Sequence, residues 1–203
     1  MTKHPFPLRQ TASQTAGPYV HIGLAPGAAG FASGRPDLGA QIIGPDTKGT
    51  RIRVEGCAHD GAGAPIPDAM IEIWQADADG RHVQTPAGPQ DPFRGWGRVV
   101  ADFQTGAWAF ETIKPGPSVD PAGQMHAPHI NLWLVARGIN MGLHTRLYFD
   151  DEVAANDADP VLQQIKARRR ATLLARRQGQ RSLPAYRFDI HLQGDAETVF
   201  FEG

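Results

Sequence analysis

The sequence predicts an all-β fold of the sandwich type. Three observations carry this. Short runs alternate polar and apolar residues, as half-buried strands do. Turn-forming clusters separate the runs at roughly 8–15-residue spacing, the rhythm of sandwiches and barrels. Gly (23) and Pro (17) are abundant in the 203 residues, which suits many tight turns better than a helical bundle.

The elements follow in chain order. RIRVEGCAHD, beginning at Arg51, alternates and is followed by the turn cluster DGAGAPIPD. AMIEIWQAD alternates again, with Met70 opposed to Ile71 and Ile73, and DADGRH turns the chain. WGRVVADF and GAWAFETI are strands joined through QTG, which reads as a hairpin. After the Pro/Gly loop KPGPSVDPAGQ come three more strands, HINLWLVARG, HTRLYFDD and YRFDIHLQG. Near the C-terminus, Asp159-Pro160 is a suitable N-cap and first-turn pair. The following VLQQIKARRRATLLARRQG predicts one helix stopped by Gly179. Its apolar side carries Val161, Leu162, Ile165, Leu173 and Leu174. Its polar side carries Lys166, Arg168, Arg169, Arg170, Arg176 and Arg177 and reads as solvated or ion-paired.

Residues 1–50 contain Pro5, Pro7, Pro18, Pro26, Pro36 and Pro45 and show little periodicity. Such a segment makes little core of its own. It is expected to lie along the main body or along a partner, because QTAGPYVHIGL contains apolar and aromatic groups that a free tail does not need. The expected organisation is one domain over residues 1–203, with an irregular arm over 1–50, the sandwich core over 51–203 and a short helical segment late in the chain.

Composition narrows the function classes. Lys+Arg (20) nearly balances Asp+Glu (21), for a net charge of -1. That offers no electrostatic footprint for nucleic acid or an anionic membrane. No stretch of 18 apolar residues is present, and MTKHPFPLRQTASQTAG lacks an apolar signal-peptide core, so a cytoplasmic location is expected. The single cysteine, Cys57, excludes an intrachain disulfide, fits a reducing compartment and reads as a small packed residue. Tyr19, Tyr148 and Tyr186 are expected to pack ring-inward with the hydroxyl bonded or hydrated. There is no GxGxxG opening a helix, no GxxxxGK[ST], no HExxH and no GxSxG. Nucleotide use and serine hydrolysis therefore have no support.

Eight histidines make metal binding worth weighing. His126 and His129 lie in MHAPHINLW. On a strand His129 and Asn131 share a face, but an amide is a poor ligand for a transition metal. His82 and His144 are further candidates. A self-sufficient metal site from His82, His129 and His144 is one reading, and a non-catalytic β-sandwich binding module is another.

The motifs SQTAGPYVHIGLA, WQADADGR, WGR, WAFETIKPG, APHINLWLVARGIN, HTRLYFDDE, YRFDIHLQG and ETVFF occur in this order. Together, over about residues 11–203, they resemble the intradiol ring-cleavage dioxygenase family, in its iron-free α-subunit branch. The resemblance implies a β-sandwich of the intradiol type. It implies assembly with a β subunit of similar fold into αβ protomers and larger oligomers. It implies O2-dependent cleavage of protocatechuate to 3-carboxy-cis,cis-muconate, at a ferric ion that two tyrosines and two histidines of the β subunit hold. By matching motif, those four ligand positions fall here at His82, Ser118, His129 and Asn131. Three of the four differ from the family's ligands, so the resemblance implies that Fe(III) belongs to the β partner and that this chain has no catalytic residue of its own. It further implies that Thr15, Gly17 and Pro18 in QTAGPY and Arg137 in VARGIN line the substrate cavity of the partner. An arginine there suits a carboxylate-bearing ring, since guanidinium and carboxylate form charge-assisted, often bidentate, hydrogen bonds.

Overall fold

The computed structural model describes residues 14–31, 34, 36–83, 92–179 and 182–202, apart from the Pro18 side chain. Its strands are β1 (Arg51–His59), β2 (Met70–Gln75), β3 (Trp96–Val100), β4 (Ala107–Ile113), β5 (Ser118–Val119), β6 (Met125–His126), β7 (His129–Val135), β8 (Leu143–Phe149), β9 (Leu174–Arg177), β10 (Ala185–Arg187) and β11 (Ile190–His191). Its helices are α1 (Pro18–Leu24), α2 (Val153–Ala158), α3 (Pro160–Gln164) and α4 (Ala167–Arg170).

β3, β2, β7 and β8 form one antiparallel layer. β4 and β1 form an antiparallel pair, and β10 and β11 lie parallel to β1 on its other side. The short β9 joins the two sets. Its Leu174 and Ala175 pair with β8, and its Arg176 and Arg177 pair with β10. The apolar faces meet in one core, to which β1 gives Ile52 and Val54, β2 gives Ile71 and Ile73, and β7 gives Ile130, Leu132 and Leu134. Each of these seven side chains is at most 2% exposed. Cys57 is also buried, on the opposite face of β1 from Ile52 and Val54. Gly56 has a packing reason. A side chain there would collide with the Phe188 carbonyl, which crosses β1 between β10 and β11.

The predicted QTG hairpin does not form. β3 pairs with β2 while β4 pairs with β1, so the turn carries the chain from one layer to the other. The Asp102 carboxylate builds that turn by accepting from the Gln104 and Thr105 amides, and Gly106 supplies its positive φ of 70°. YRFDIHLQG is interrupted at Phe188-Asp189, where the Asp189 carboxylate accepts the Cys57 N–H at 2.9 Å.

The single helix expected after Asp159 also fails. Asp159 does cap α3, accepting from the Val161 and Leu162 amides at 2.9 Å. The chain then turns extended at Ile165 (φ -86°, ψ 135°). It resumes as α4 and a 3-10 turn over Ala171–Leu173, and ends as strand β9. The basic residues are engaged as expected: Arg169 pairs with Glu197 at 3.1 Å, and Arg177 with Asp151 at 3.4 Å. The arm is less irregular than predicted, because α1 folds within it. His21 of α1 packs edge-on against Phe103 at 5.4 Å. Arg98 donates to the Leu24 carbonyl at 2.8 Å. Tyr148 and Tyr186 are buried and bonded, to Asp159 and Asp151. Tyr19 departs from the expectation, being 81% exposed. Residues 1–13 of the arm lie outside the described residues. Among the described residues no helix is long and apolar enough to cross a membrane.

Asp159, 1% exposed, joins several elements at once. Besides capping α3 it accepts from the Ala127 amide at 2.9 Å and from the Tyr148 hydroxyl at 3.2 Å. Asp159→Ala removes the cap and leaves buried donors unpaired. It is expected to destabilise the fold by about 3 kcal/mol, read as a lowered midpoint in denaturant unfolding.

Candidate functional site

Two regions carry the residues singled out above, and β7 connects them. Residues Ile130, Leu132 and Leu134 point into the core, so His129, Asn131 and Trp133 point out on the other face. On that face Trp74 lies opposite Asn131 on one side, and Arg146 lies opposite it on the other. His82 stacks on Trp74 with centroids 6.1 Å apart. Ser118 pairs with His126 across β5 and β6, and the His126 ring sits 5.9 Å from that of His129. His82, Ser118, His129 and Asn131 thus gather on one face, though they are far apart in sequence.

The chemistry of that face does not suit a ferric ion. Burial pulls the His129 imidazole down to about 4. The ring is therefore neutral, and its Nδ1–H donates to the Ala127 carbonyl at 2.7 Å. Ser118 and Asn131 offer only neutral oxygens. Tyr148 stands 5.5 Å from His129, but burial pushes its phenol up to about 12, and it donates to Asp159 instead of presenting a phenolate. Burial also lowers His82, with Asp77 opposing the shift and Arg146 adding to it. A hard cation needs anionic oxygen donors, and His82, Ser118, His129 and Asn131 supply none.

The alternative set His82, His129 and His144 does not assemble. His144 lies opposite Trp133, and its strand neighbour Tyr148 lies opposite His129. Four residues of strand separate them, about 13 Å. Among the described residues no group of three or more His, Cys, Asp or Glu could hold a metal.

The second region lies at the far end of β7. There Ala136 is buried, Arg137 turns outward, and Gly138 takes a φ of 87° that favours glycine. The Gly138 amide donates to the Thr15 hydroxyl at 2.6 Å. This contact joins the QTAGPY segment to the VARGIN turn. Gly17 is extended and caps α1, and Pro18 is the first helical residue, a position where its missing N–H costs nothing. Arg137 Nε donates to Asp68 Oδ2 at 2.7 Å, and the Arg137 backbone amide reaches the same oxygen at 3.3 Å. The Arg137 side chain is 68% exposed and the Asp68 side chain 10%. Both line a cavity of about 510 Å³, walled by Ile22, Phe31 and Phe103 and closed partly by His21. An apolar cavity with one guanidinium suits a ring that carries a carboxylate.

Sequence reasoning brought Thr15, Gly17 and Arg137 to attention but missed Asp68, His21 and Arg146. Asp68 sits in the turn PIPD, where an aspartate reads as a turn former. No local signal separates it from Asp60 or Asp77. Arg146 was hidden in a strand whose alternation accounts for it.

The buried His129 has a measurable consequence. Its folded-state pKa is depressed, so the unfolded chain takes up the proton first as pH falls. The stability it contributes is present above about 6.5 and lost as pH falls toward 4. His129→Gln is expected to flatten the fall in unfolding free energy between those pH values, by up to about 3 kcal/mol.

Comparisons with known proteins identify the family. A family model described as Dioxygenase matches residues 32–194. The protocatechuate 3,4-dioxygenase alpha chain of Pseudomonas putida is 47% identical over 96% of this chain and 97% of its own length. The corresponding beta chain of Burkholderia cepacia is 32% identical over 80% of this chain and 78% of its own. The solved dioxygenase domain of a carbohydrate-binding fusion from Streptomyces sp. SirexAA-E superposes with a TM-score of 0.59 at 23% identity, over 81% of this chain and 92% of that one. That likeness shows the fold, and the two sequence matches show more. The chain belongs to the intradiol dioxygenase family, in its protocatechuate 3,4-dioxygenase alpha-chain branch.

Proposed function

We propose that this chain is the α subunit of a protocatechuate 3,4-dioxygenase. It joins an iron-bearing β subunit, and the pair inserts O2 between the hydroxyl-bearing carbons of protocatechuate to give 3-carboxy-cis,cis-muconate. Ferric iron in the β subunit supplies the activation of the catecholate. This chain's part is to shape and charge one wall of the cavity.

The observation that carries the reading is the bond between the Gly138 amide and the Thr15 hydroxyl. It brings the arm within reach of Arg137, although the two segments are far apart in sequence. In this reading Gly17 and Pro18 give a stiff wall beside the ring, and Arg137 receives the carboxylate. The arm also leaves Tyr19 81% and Phe31 55% exposed, and Phe103, which shares a cavity wall with Phe31, is 46% exposed. Exposed aromatic groups of this kind suit a partner surface. An obligate interface of this class usually buries more than about 2,000 Å².

Co-expression with the β subunit tests the proposal. The purified chain alone is expected to bind no stoichiometric iron and to turn over nothing, while the αβ complex is iron-loaded and active. In that complex Arg137→Ala is expected to lower kcat/KM for protocatechuate by about 2–4 kcal/mol, the scale for truncating one partner of a desolvated charge pair. Activity of the isolated chain, or unchanged kinetics in the variant, contradicts the reading.

A further inference from the structure

We propose that Asp68 is a positioning residue that sets how Arg137 receives the substrate carboxylate. The inference rests on the reading of Arg137 given above and adds the group that orients it.

Asp68 Oδ2 holds Arg137 at two points, the side-chain Nε at 2.7 Å and the backbone amide at 3.3 Å. One buried oxygen therefore ties the guanidinium head to its own backbone. A guanidinium can grip a carboxylate side-on, through Nε and one Nη, or end-on, through both Nη groups. With Nε taken by Asp68, the side-on mode is closed. The Nη groups make no hydrogen bond among the described residues, and the side chain is 68% exposed at the cavity. The end-on fork is what remains for a ligand.

Asp68 is itself well held. It sits in the Pro67-Asp68 turn, directly before Ala69 and the first β2 residue Met70, both fully buried. Both partners lie on turns, Asp68 just ahead of β2 and Arg137 just past β7, and the buried start of β2 anchors the Asp68 side of the pair. A free arginine loses considerable rotamer entropy when it is ordered, and Asp68 takes that loss during folding. The carboxylate also offsets much of the guanidinium charge. The pair therefore selects a ligand by geometry more than by long-range attraction.

The test is steady-state kinetics of the αβ complex with two substrates, protocatechuate and catechol, the latter lacking the carboxylate. Asp68→Asn keeps the shape and removes the charge. It is expected to raise KM for protocatechuate roughly tenfold, the scale of one charge-assisted hydrogen bond, with kcat little changed and catechol kinetics unaffected. The double variant with Arg137→Ala is expected to be no worse than Arg137→Ala alone, because Asp68 acts through Arg137. Asp68→Ser, read the same way, serves if the asparagine variant fails to assemble. The proposal is overturned if Arg137→Ala raises KM for protocatechuate while neither Asp68 variant does, if protocatechuate and catechol suffer equally, or if the two losses simply add. If Arg137→Ala itself leaves protocatechuate unaffected, the carboxylate role of Arg137 fails first, and the role of Asp68 falls with it.

Discussion

The alternation of β7 between β2 and β8 is the constraint on which both regions depend. Ile130, Leu132 and Leu134 are at most 2% exposed, and a slip of one residue would carry all three out of the core. Because that register is held, His129, Asn131 and Trp133 must lie on the opposite face of the sheet, where they meet Arg146 and Tyr148. For the same reason the strand ends at a defined point. Ala136 closes the core, Arg137 is the first residue past it, and Gly138 provides the amide that meets the arm. Packing of one apolar stripe thus places the two chemically distinct ends of the molecule.

Those ends use charge in opposite ways. At one, Arg146 stands among His82, His129 and Asn131, positions at which the family resemblance puts metal ligands. An uncharged imidazole and a phenol held protonated by burial give a hard cation no anionic donor there. At the other, Arg137 stays exposed and is oriented by Asp68 at 2.7 Å. The first arrangement fits the proposal that a partner subunit holds the iron. The second fits the contribution proposed for this chain, a directed positive charge on the wall of an apolar cavity.

Much of this was legible in the residues. Strands β1, β2, β7 and β8 follow from period-two alternation, and Asp159-Pro160 announced its helix start correctly. The single late helix was misread because its apolar positions do not form a continuous stripe. Between Ile165 and Leu173 there is no large apolar residue, so nothing holds that turn of helix to the core. The fold instead needs Leu174 and Ala175 as strand, to pair with β8 and close the sheet. Helix α1 was missed because its short PYVHIGL run holds against the body through contacts from Phe103 and Arg98, which no local pattern reveals. The same holds for the layer crossing after β3, since a tight turn looks alike whether its strands pair or part. Thr15 and Arg137 entered through family motifs, whereas Asp68 emerged only when the turn before β2 and the turn after β7 were seen side by side.

The central claim is that this chain supplies the carboxylate-binding wall of an active site whose iron lies in its partner. The most direct measurement is a structure of the αβ complex with a bound carboxylate-bearing inhibitor such as 4-hydroxybenzoate. The account predicts the carboxylate end-on to both Nη groups of Arg137, with Asp68 still on Nε and the iron held wholly by the β subunit. A carboxylate bound only by β-subunit groups, with Arg137 turned away, would contradict it.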